Sequence, residues 1–223
     1  QRIARVDVAG VFASAPAAGS RRAAGEQGLG VNFTPTAPAR YSSAQKSVTL
    51  TVRKTAATVI LDGLIQVYDG RPHPLTARTI PPGLRVDITY AATSVPVAAG
   101  SYPFTATVID DNATGSRTGT MVVAKGKQTL TFPAPPPLRL GDEDCPLAAS
   151  STSGLGVGYG SSAPAVATIV GGNKLHVVGA GKVTITAFQQ GDANWKPAAS
   201  VARTLTIGRT SQTIDFAPLP VHL

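Results

Sequence analysis

The sequence contains little cysteine, few aromatic residues and little charge. Its single cysteine, Cys145, excludes an intrachain disulfide, but the cysteine count does not decide between the cytoplasm and an exported location. Aromatic residues make up 5% and charged residues 14% of the 223 positions. No run approaches the roughly 20 apolar residues of a membrane-spanning helix. No amphipathic helical pattern persists over three turns either. The sequence therefore predicts neither a membrane span nor a helical domain.

Glycine and proline are abundant instead, with 23 and 18 copies, and Thr, Val and Ala dominate the remainder. This mixture favours many short strands joined by tight turns, because β-branched side chains fit a pleated sheet and Gly or Pro fixes the turns. Apolar residues alternate with polar ones in several stretches, as in antiparallel strands with one buried face. These stretches are 84–90, 102–108 and 183–187.

The net charge of +8 makes nucleic acid the first partner to consider. The basic residues are scattered, however, and Arg21–Arg22 and Arg53–Lys54 are the only adjacent Arg/Lys pairs. No basic run is interleaved with aromatic residues, and the scattered charges form no basic stripe of the kind that marks a nucleic-acid surface. We therefore expect a solvated basic surface and no nucleic-acid partner.

Internal repeats organise the chain. Residues 128–132 (QTLTF) recur as 212–216 (QTIDF), an offset of 212 − 128 = 84 residues, and each copy precedes a proline-rich stretch. Three similar terminal strands lie at 49–54, 120–125 and 204–209. Periods of this length correspond to one small β domain each. The predicted domains are 1–54 (the C-terminal portion of a repeat), 55–126, 127–208 and 209–223 (the first strand of a further repeat).

A polar turn precedes each terminal strand. The turns lie at 39–44, 111–116 and 193–198. Tyr41 and Trp195 occupy equivalent places in the first and third turns, and Ala113 stands there in the second. We expect each aromatic ring to pack beneath its turn, in a core.

Several segments resemble known repeats. Residues 66–77, 82–84 and 99–102 resemble the MBG-type repeat of bacterial surface and secreted proteins. Residues 127–208 are similar to a bacterial Ig-like repeat, and 9–54 to the second half of a related unit. The match in 127–208 rests on 141–142, 153–155, 164–169, 179–187 and 191–195.

This resemblance implies an all-β chain of tandem small Ig-like β-sandwich domains, with both chain ends cut inside a domain. It also implies an extracellular or cell-surface location. The implied function is a non-catalytic spacer, stalk or adhesion region of a large bacterial surface or secreted protein. The alternative is an accessory ligand- or carbohydrate-binding module of a secreted enzyme. Expected partners are neighbouring repeats and host or cell-surface ligands, either protein or glycan. Because the sequence begins with Gln1, we expect a mature or truncated product.

Two kinds of loop could carry a ligand. The glycine-rich stretch 154–160 superficially suggests a phosphate loop, but no helix follows it, so a strand and a bend are predicted. The oxygens of 110–112 and 192–194 could hold Ca²⁺. Side-chain bonds within the turns are favoured, because the equivalent 37–39 has no carboxylate.

The remaining reactive side chains show no convergent pattern. His73, His176 and His222 are far apart in sequence and are expected at the surface or half-buried. Cys145 follows an acidic stretch that would raise its pKa, so we expect an incidental thiol. Tyr41, Tyr159 and Trp195 could stack on a sugar, but core packing is favoured for Tyr41 and Trp195. No catalytic, cofactor-binding or metal-binding residue, no cofactor and no enzymatic activity is predicted.

The predicted domain boundaries have one structural consequence. If 1–54 lacks its opening strands, then Ile3, Val6, Val8 and Phe12 are poorly covered or pair with another segment. The stretch 212–216 is a candidate donor strand, in cis or between chains.

Overall fold

The computed structural model describes residues 5–17, 19–91 and 94–215. These residues form nineteen strands and no helix. The first eleven strands are β1 (Gly10–Ala15), β2 (Gly25–Pro35), β3 (Ala44–Val52), β4 (Thr55–Ala56), β5 (Thr58–Asp62), β6 (Ile65–Val67), β7 (Thr76–Ile80), β8 (Val86–Tyr90), β9 (Gly100–Val108), β10 (Ala113–Thr114) and β11 (Ser116–Ala124). The others are β12 (Leu130–Thr131), β13 (Cys145–Pro146), β14 (Ser150–Ser151), β15 (Gly158–Ser161), β16 (Ala167–Val170), β17 (Lys174–Val177), β18 (Gly181–Phe188) and β19 (Val201–Ile207).

Contacts divide the chain into two compact units. The first lies within 1–64, 73–96 and 101–121, and the second within 65–72, 97–100 and 122–223. The architecture is all-β, as predicted from the composition. Within the described ranges, no helix has the length and apolar character needed to cross a membrane.

An antiparallel sheet in the order β1-β2-β3 opens the first unit. Phe12 packs against the buried ring of Phe33, with ring centroids 5.1 Å apart, yet Phe12 remains 41% exposed. Val6 is 40% exposed and Val8 is half-buried. Poor coverage is therefore confirmed for Val6 and Phe12, while Ile3 lies outside the described residues.

The rest of the first unit has its own apolar core. Strands β5 and β7 pair antiparallel, and β8, β9 and the part of β11 up to Met121 form neighbouring strands. Side chains on β9 alternate between exposed and inward-facing positions, which confirms the period-two prediction for 102–108. The buried apolar side chains are Val59, Leu61, Leu75, Phe104, Ala106, Val108, Ala113 and Met121.

Two three-stranded sheets face one another across the core of the second unit. Their strand orders are β13-β17-β16 and β15-β18-β19. The first sheet contributes Cys145, Leu175 and Val177 to one apolar cluster, and the second contributes Val183 and Ile185. This packing is a β-sandwich. The other buried members are Phe132, Leu138, Leu147, Ala167, Ala187 and Ile207.

Parallel pairing is one difference from the expected antiparallel sandwich. Strands β4 and β10 are parallel, with Thr55 opposite Ala113, and β6 runs parallel to the end of β11. Gly126 and Trp195 form an isolated parallel bridge. Parallel partners need a long crossover, so the local alternation of side chains could not reveal them. The stretch 212–215 forms no strand and Phe216 lies outside the described residues, so its role as a donor strand stays a prediction.

Candidate functional site

Two Asp-X-Asn turns fold in the same way. Asp110 Oδ1 accepts hydrogen bonds from the amides of Asn112 and Ala113, both at 2.7 Å. Asp192 Oδ1 accepts them from the amides of Asn194 and Trp195 at 2.8 and 2.7 Å. An aspartate that bonds its own backbone two or three residues on stabilises a tight turn. The prediction of side-chain bonds within these turns is confirmed.

The turn at 110–112 binds two segments from earlier in the chain, both within the first unit. The amide of Ala24 donates to Asn112 Oδ1 at 2.8 Å, and the amide of Thr55 donates to the Asn112 carbonyl at 2.8 Å. Lys54 Nζ donates to the Asp110 carbonyl at 2.8 Å. We call Ala24, Lys54, Thr55, Asp110 and Asn112 the first junction.

The turn at 192–194 makes the same contacts within the second unit. The amide of Ala99 donates to Asn194 Oδ1 at 2.9 Å, and the amide of Gly126 donates to the Asn194 carbonyl at 2.9 Å. Lys125 Nζ donates to the Asp192 carbonyl at 2.6 Å. These five residues form the second junction. Three hydrogen bonds, donated from two separate places in the chain to one turn, thus recur with the same kinds of donor and acceptor.

An aromatic contact supports the second junction. The Trp195 ring packs on Gly126, since a Cβ added there would lie 2.6 Å from Trp195 Cζ3. Tyr68 meets the Trp195 ring edge to face, with ring centroids 5.2 Å apart. The amide of Lys196 also donates to the Gly126 carbonyl at 2.9 Å. Trp195 is half-buried and packs beside its turn, which agrees with the packing role predicted for it.

The first repeat closes its turn without a carboxylate. The Ala37 carbonyl accepts hydrogen bonds from the amides of Arg40 and Tyr41, both at 3.1 Å. Tyr41 is 48% exposed, so its predicted burial in a core is wrong. In the described part of the sheet β1-β2-β3, the residues around Tyr41 are exposed, and they offer no apolar layer to cover the ring.

The described histidines, His73 and His176, differ in burial and in their contacts. His73 is 7% exposed, so the expectation of a surface or half-buried histidine is wrong; its amide donates to the Pro96 carbonyl at 2.8 Å. His176 Nδ1 lies 2.7 Å from Asp144 Oδ1, on exposed side chains. His222 lies outside the described residues. No group of three or more His, Cys, Asp or Glu side chains suited to a metal occurs among the residues that the structure describes.

Cys145 is a core residue. Its side chain belongs to the apolar cluster of the second unit, and burial raises the pKa of the thiol. The sequence predicted a raised pKa from neighbouring carboxylates, whereas the cause in the structure is desolvation. A buried thiol with a raised pKa is a weak nucleophile.

Tyr159 and the glycine-rich stretch are also structural. The Tyr159 hydroxyl donates to the Leu147 carbonyl at 3.0 Å and accepts from the Ala149 amide at 2.8 Å. Its ring meets Phe132 at a centroid distance of 5.6 Å. Within 154–160, Gly154 has a φ of 76°, and Gly158 begins β15. The predicted bend and strand are confirmed.

The first unit carries a groove of about 580 Å³ on the sheet β1-β2-β3. Arg5, Arg22 and Lys46 line it together with apolar residues, and no carboxylate or aromatic ring is among its described lining residues. Arg22 Nη2 is buried without a hydrogen-bond partner in the described structure. This combination suits an anion better than a stacked sugar. Its other lining residues include Leu29, Val31, Val48 and Leu50.

The sequence contained a signal for the junctions that a search for chemical motifs misses. An Ala-Gly step occurs at 24–25, 99–100 and 180–181, and its glycine begins β2, β9 and β18 respectively. A basic residue follows each terminal strand, at Lys54, Lys125 and Arg209. Only the fold brings these positions to the Asp-X-Asn turns, because the bonded residues are 88 and 95 positions apart.

Comparisons with known proteins identify one segment. Residues 57–127 match a family model described as the MBG domain, which confirms the resemblance found for 66–102. No curated protein matches the chain. Among solved structures, the chain is similar to surface layer protein SbsC, domains 1–6, with 14% identity and a TM-score of 0.31, over 83% of this chain and 32% of that one. It is also similar to Sidekick-1 immunoglobulin domains 1–5, with 12% identity and a TM-score of 0.30, over 83% of this chain and 45% of that one.

Proposed function

We propose that this chain, which contains an MBG domain at residues 57–127, is a non-catalytic extracellular spacer or adhesion region of a large bacterial surface or secreted protein. Its predicted domains at 55–126 and 127–208, with partial repeats at 1–54 and 209–223, would each supply one β unit of that region. The likeness to MBG repeats supports the location, because such repeats occur in surface and secreted proteins.

The repeated junction is the observation that carries this proposal. The polar groups of both Asp-X-Asn turns are engaged by the linker and by a loop of the preceding repeat. Hydrogen bonds of this kind contribute about 1 kcal/mol each, so the two from the linker and the one from the loop together restrain both segments against the turn. A chain in which the asparagine side chain and the backbone carbonyls of a turn bind the linker and the preceding repeat is suited to holding a fixed spacing.

Surface display tests the spacer role. The chain is placed between a cell-surface anchor and an epitope, and the height of the epitope is measured with fluorescent antibody fragments. The expected result is a narrower height distribution than that of a Gly/Ser linker of equal length, which behaves as a random coil with an end-to-end distance of about 80 Å. A distribution as broad as that of the linker would refute the spacer role. Saturable binding of displayed chains to host protein or glycan would favour the adhesion form of the proposal.

A second candidate function is an accessory ligand-binding module of a secreted enzyme. The groove on β1-β2-β3 favours it, because Arg5, Arg22 and Lys46 meet there and Arg22 Nη2 is buried and unpaired among the described residues. An anionic group such as a sulfated glycan would satisfy that nitrogen, and unpaired buried donors are costly.

Calorimetric titration with a heparin hexasaccharide tests this candidate. We expect saturable heat with the unchanged chain. Arg22→Met and Lys46→Met should each lower the affinity about tenfold, since a charge-assisted hydrogen bond contributes about 1.5–3 kcal/mol. Lys174→Met is the matched control, because Lys174 is exposed on β17 in the other unit. No saturable heat, or equal loss in the control, would exclude the groove as this site.

A further inference from the structure

The third terminal strand ends in the pattern of the first two. Residues 204–209 align with 49–54 and 120–125, so Arg209 stands where Lys54 and Lys125 stand in the junctions. Thr210 then corresponds to Thr55 and Gly126. Ala180 precedes β18, as Ala24 precedes β2 and Ala99 precedes β9. The chain therefore carries a third set of the residues that bind an Asp-X-Asn turn.

This third set is unoccupied in the described structure. Ala180, Arg209 and Thr210 are exposed, and neither the amides of Ala180 and Thr210 nor the guanidinium of Arg209 bonds any described residue. Among the engaged counterparts, Ala24 and Ala99 are half-buried and Gly126 is buried, while Lys54, Thr55 and Lys125 are exposed.

We propose that Ala180, Arg209 and Thr210 form an open junction that binds the Asp-X-Asn turn of a further β repeat, following on the same polypeptide. By the geometry of the two filled junctions, the asparagine Oδ1 accepts from the Ala180 amide and the asparagine carbonyl from the Thr210 amide. The carbonyl of the aspartate accepts from Arg209. Arginine replaces lysine without loss, because a guanidinium carries five donors and a carbonyl needs one.

The two filled junctions favour the same polypeptide as the source of the turn that binds the open junction. In both filled junctions the turn belongs to the repeat that directly follows the linker. The aspartate comes 110 − 54 = 56 residues after Lys54 and 192 − 125 = 67 residues after Lys125. A repeat built in the same way presents its aspartate about 56 to 67 residues after Arg209. This inference goes beyond the proposed function, since it holds whether the chain spaces, adheres or binds a ligand.

A chimeric chain tests the open junction. Residues 212–216 align with 128–132, so position 223 aligns with position 139. Appending a second copy of 140–208 after Leu223 therefore supplies a repeat with its own Asp-X-Asn turn. Amide hydrogen exchange, read residue by residue by NMR, is compared between the chain of 223 residues and the chimera.

The expected result is at least ~10-fold slower exchange at Ala180 and Thr210 in the chimera, because exchange requires a bonded amide to open. Ala99 and Gly126 serve as references for a filled junction in the same molecule. The variant Asn194→Ala in the appended copy separates the two bonds. It restores fast exchange at Ala180, which loses a side-chain acceptor, and leaves Thr210 slow, because the backbone acceptor remains.

A second measurement decides the matter if the appended copy does not fold. A synthetic peptide of residues 191–197 is titrated into the chain, with the Asn194→Ala peptide as its control. NMR shift changes confined to the surroundings of Ala180, Arg209 and Thr210, and weaker with the control peptide, support the proposal. A folded chimera with fast exchange at both amides overturns it. So does a peptide that shifts none of these signals.

Discussion

The side-chain oxygen of Asn194 lies 2.9 Å from the amide nitrogen of Ala99, 95 positions earlier in the chain. Asn112 and Ala24 repeat this relationship at 2.8 Å across 88 positions. A neutral amide oxygen suits the task, because it accepts a backbone N–H without the desolvation cost of a carboxylate. The two junctions thus depend on asparagine side chains, which sequence inspection assigns to ordinary turns.

Replacing Asn194 by alanine removes one side-chain acceptor. Asn194→Ala is expected to destabilise the second unit by about 1 kcal/mol in urea unfolding, the usual contribution of one hydrogen bond. The Ala99 amide is expected to exchange faster, while the Gly126 amide, bonded to the backbone, stays protected. Asn173→Ala is the control, since Asn173 lies exposed in a turn and, among the described residues, is bonded through its carbonyl alone. Equal effects of the two variants would contradict the role given to Asn194.

Asp192 is expected to stabilise its turn through Oδ1. Asp192→Ala leaves two amides without their acceptor and is expected to cost about 1–2 kcal/mol. Asp192→Asn keeps an acceptor oxygen and should recover most of that loss. Glu143→Ala removes the same charge from an exposed position and controls for electrostatics. If Asp192→Asn were as damaging as Asp192→Ala, charge rather than turn geometry would be responsible.

We expect no calcium binding at the Asp-X-Asn turns. Ca²⁺ takes six to eight oxygen ligands, whereas one oxygen of Asp192 already accepts two amides. Calorimetric titration with CaCl₂ after treatment with a chelator should therefore show no saturable heat. Saturable heat that disappears in Asp192→Asn would prove this expectation wrong.

Gly126 allows the Trp195 ring to approach the backbone. A Cβ at Gly126 would lie 2.6 Å from Trp195 Cζ3 and 2.7 Å from the Tyr68 carbonyl oxygen, which belongs to the backbone and cannot rotate away. Gly126→Ala is expected to destabilise the second unit by about 2–3 kcal/mol through overpacking. Gly208→Ala is the matched control, because a Cβ there meets nothing within 4 Å, and it should stay within about 0.5 kcal/mol. Similar melting temperatures for both variants would refute the contact.

Cys145 is expected to resist alkylation until the chain unfolds. Burial raises the pKa of this thiol in the folded state, so iodoacetamide should react slowly near pH 8 and faster after denaturation in urea. The raised pKa also makes stability depend on pH. The stabilisation is fully present below the unfolded pKa of the thiol and is lost as the pH rises through the folded pKa. Equal alkylation rates in folded and denatured chains would rule out a buried thiol.

Local patterns predicted the strands well. The alternation in 84–90, 102–108 and 183–187 corresponds to β8, β9 and β18. This success follows from the period of two, which a buried sheet face imposes on neighbouring residues. The terminal strands are also found where the repeat predicted them, as β3, β11 and β19.

Contacts between distant segments were not predictable in this way. The sequence gives no hint that the His73 amide bonds the Pro96 carbonyl, or that Ala99 meets Asn194. The prediction for Tyr41 was wrong because alignment with Trp195 suggested a packing partner, and the described residues of the first repeat supply none. Gly126 and Tyr68 supply that partner for Trp195. The role of a turn therefore depends on what another repeat places against it.

The spacing of the junction residues affects how such chains can evolve. Each junction uses an Ala-Gly step, a basic residue after the terminal strand and an Asp-X-Asn turn in the next repeat, although the repeats differ in length and in most other residues. Duplication, deletion or exchange of whole units leaves these hydrogen bonds intact, provided that the breakpoint spares the linker. Genes for such proteins can consequently gain or lose modules by recombination without new mutations at the points of connection.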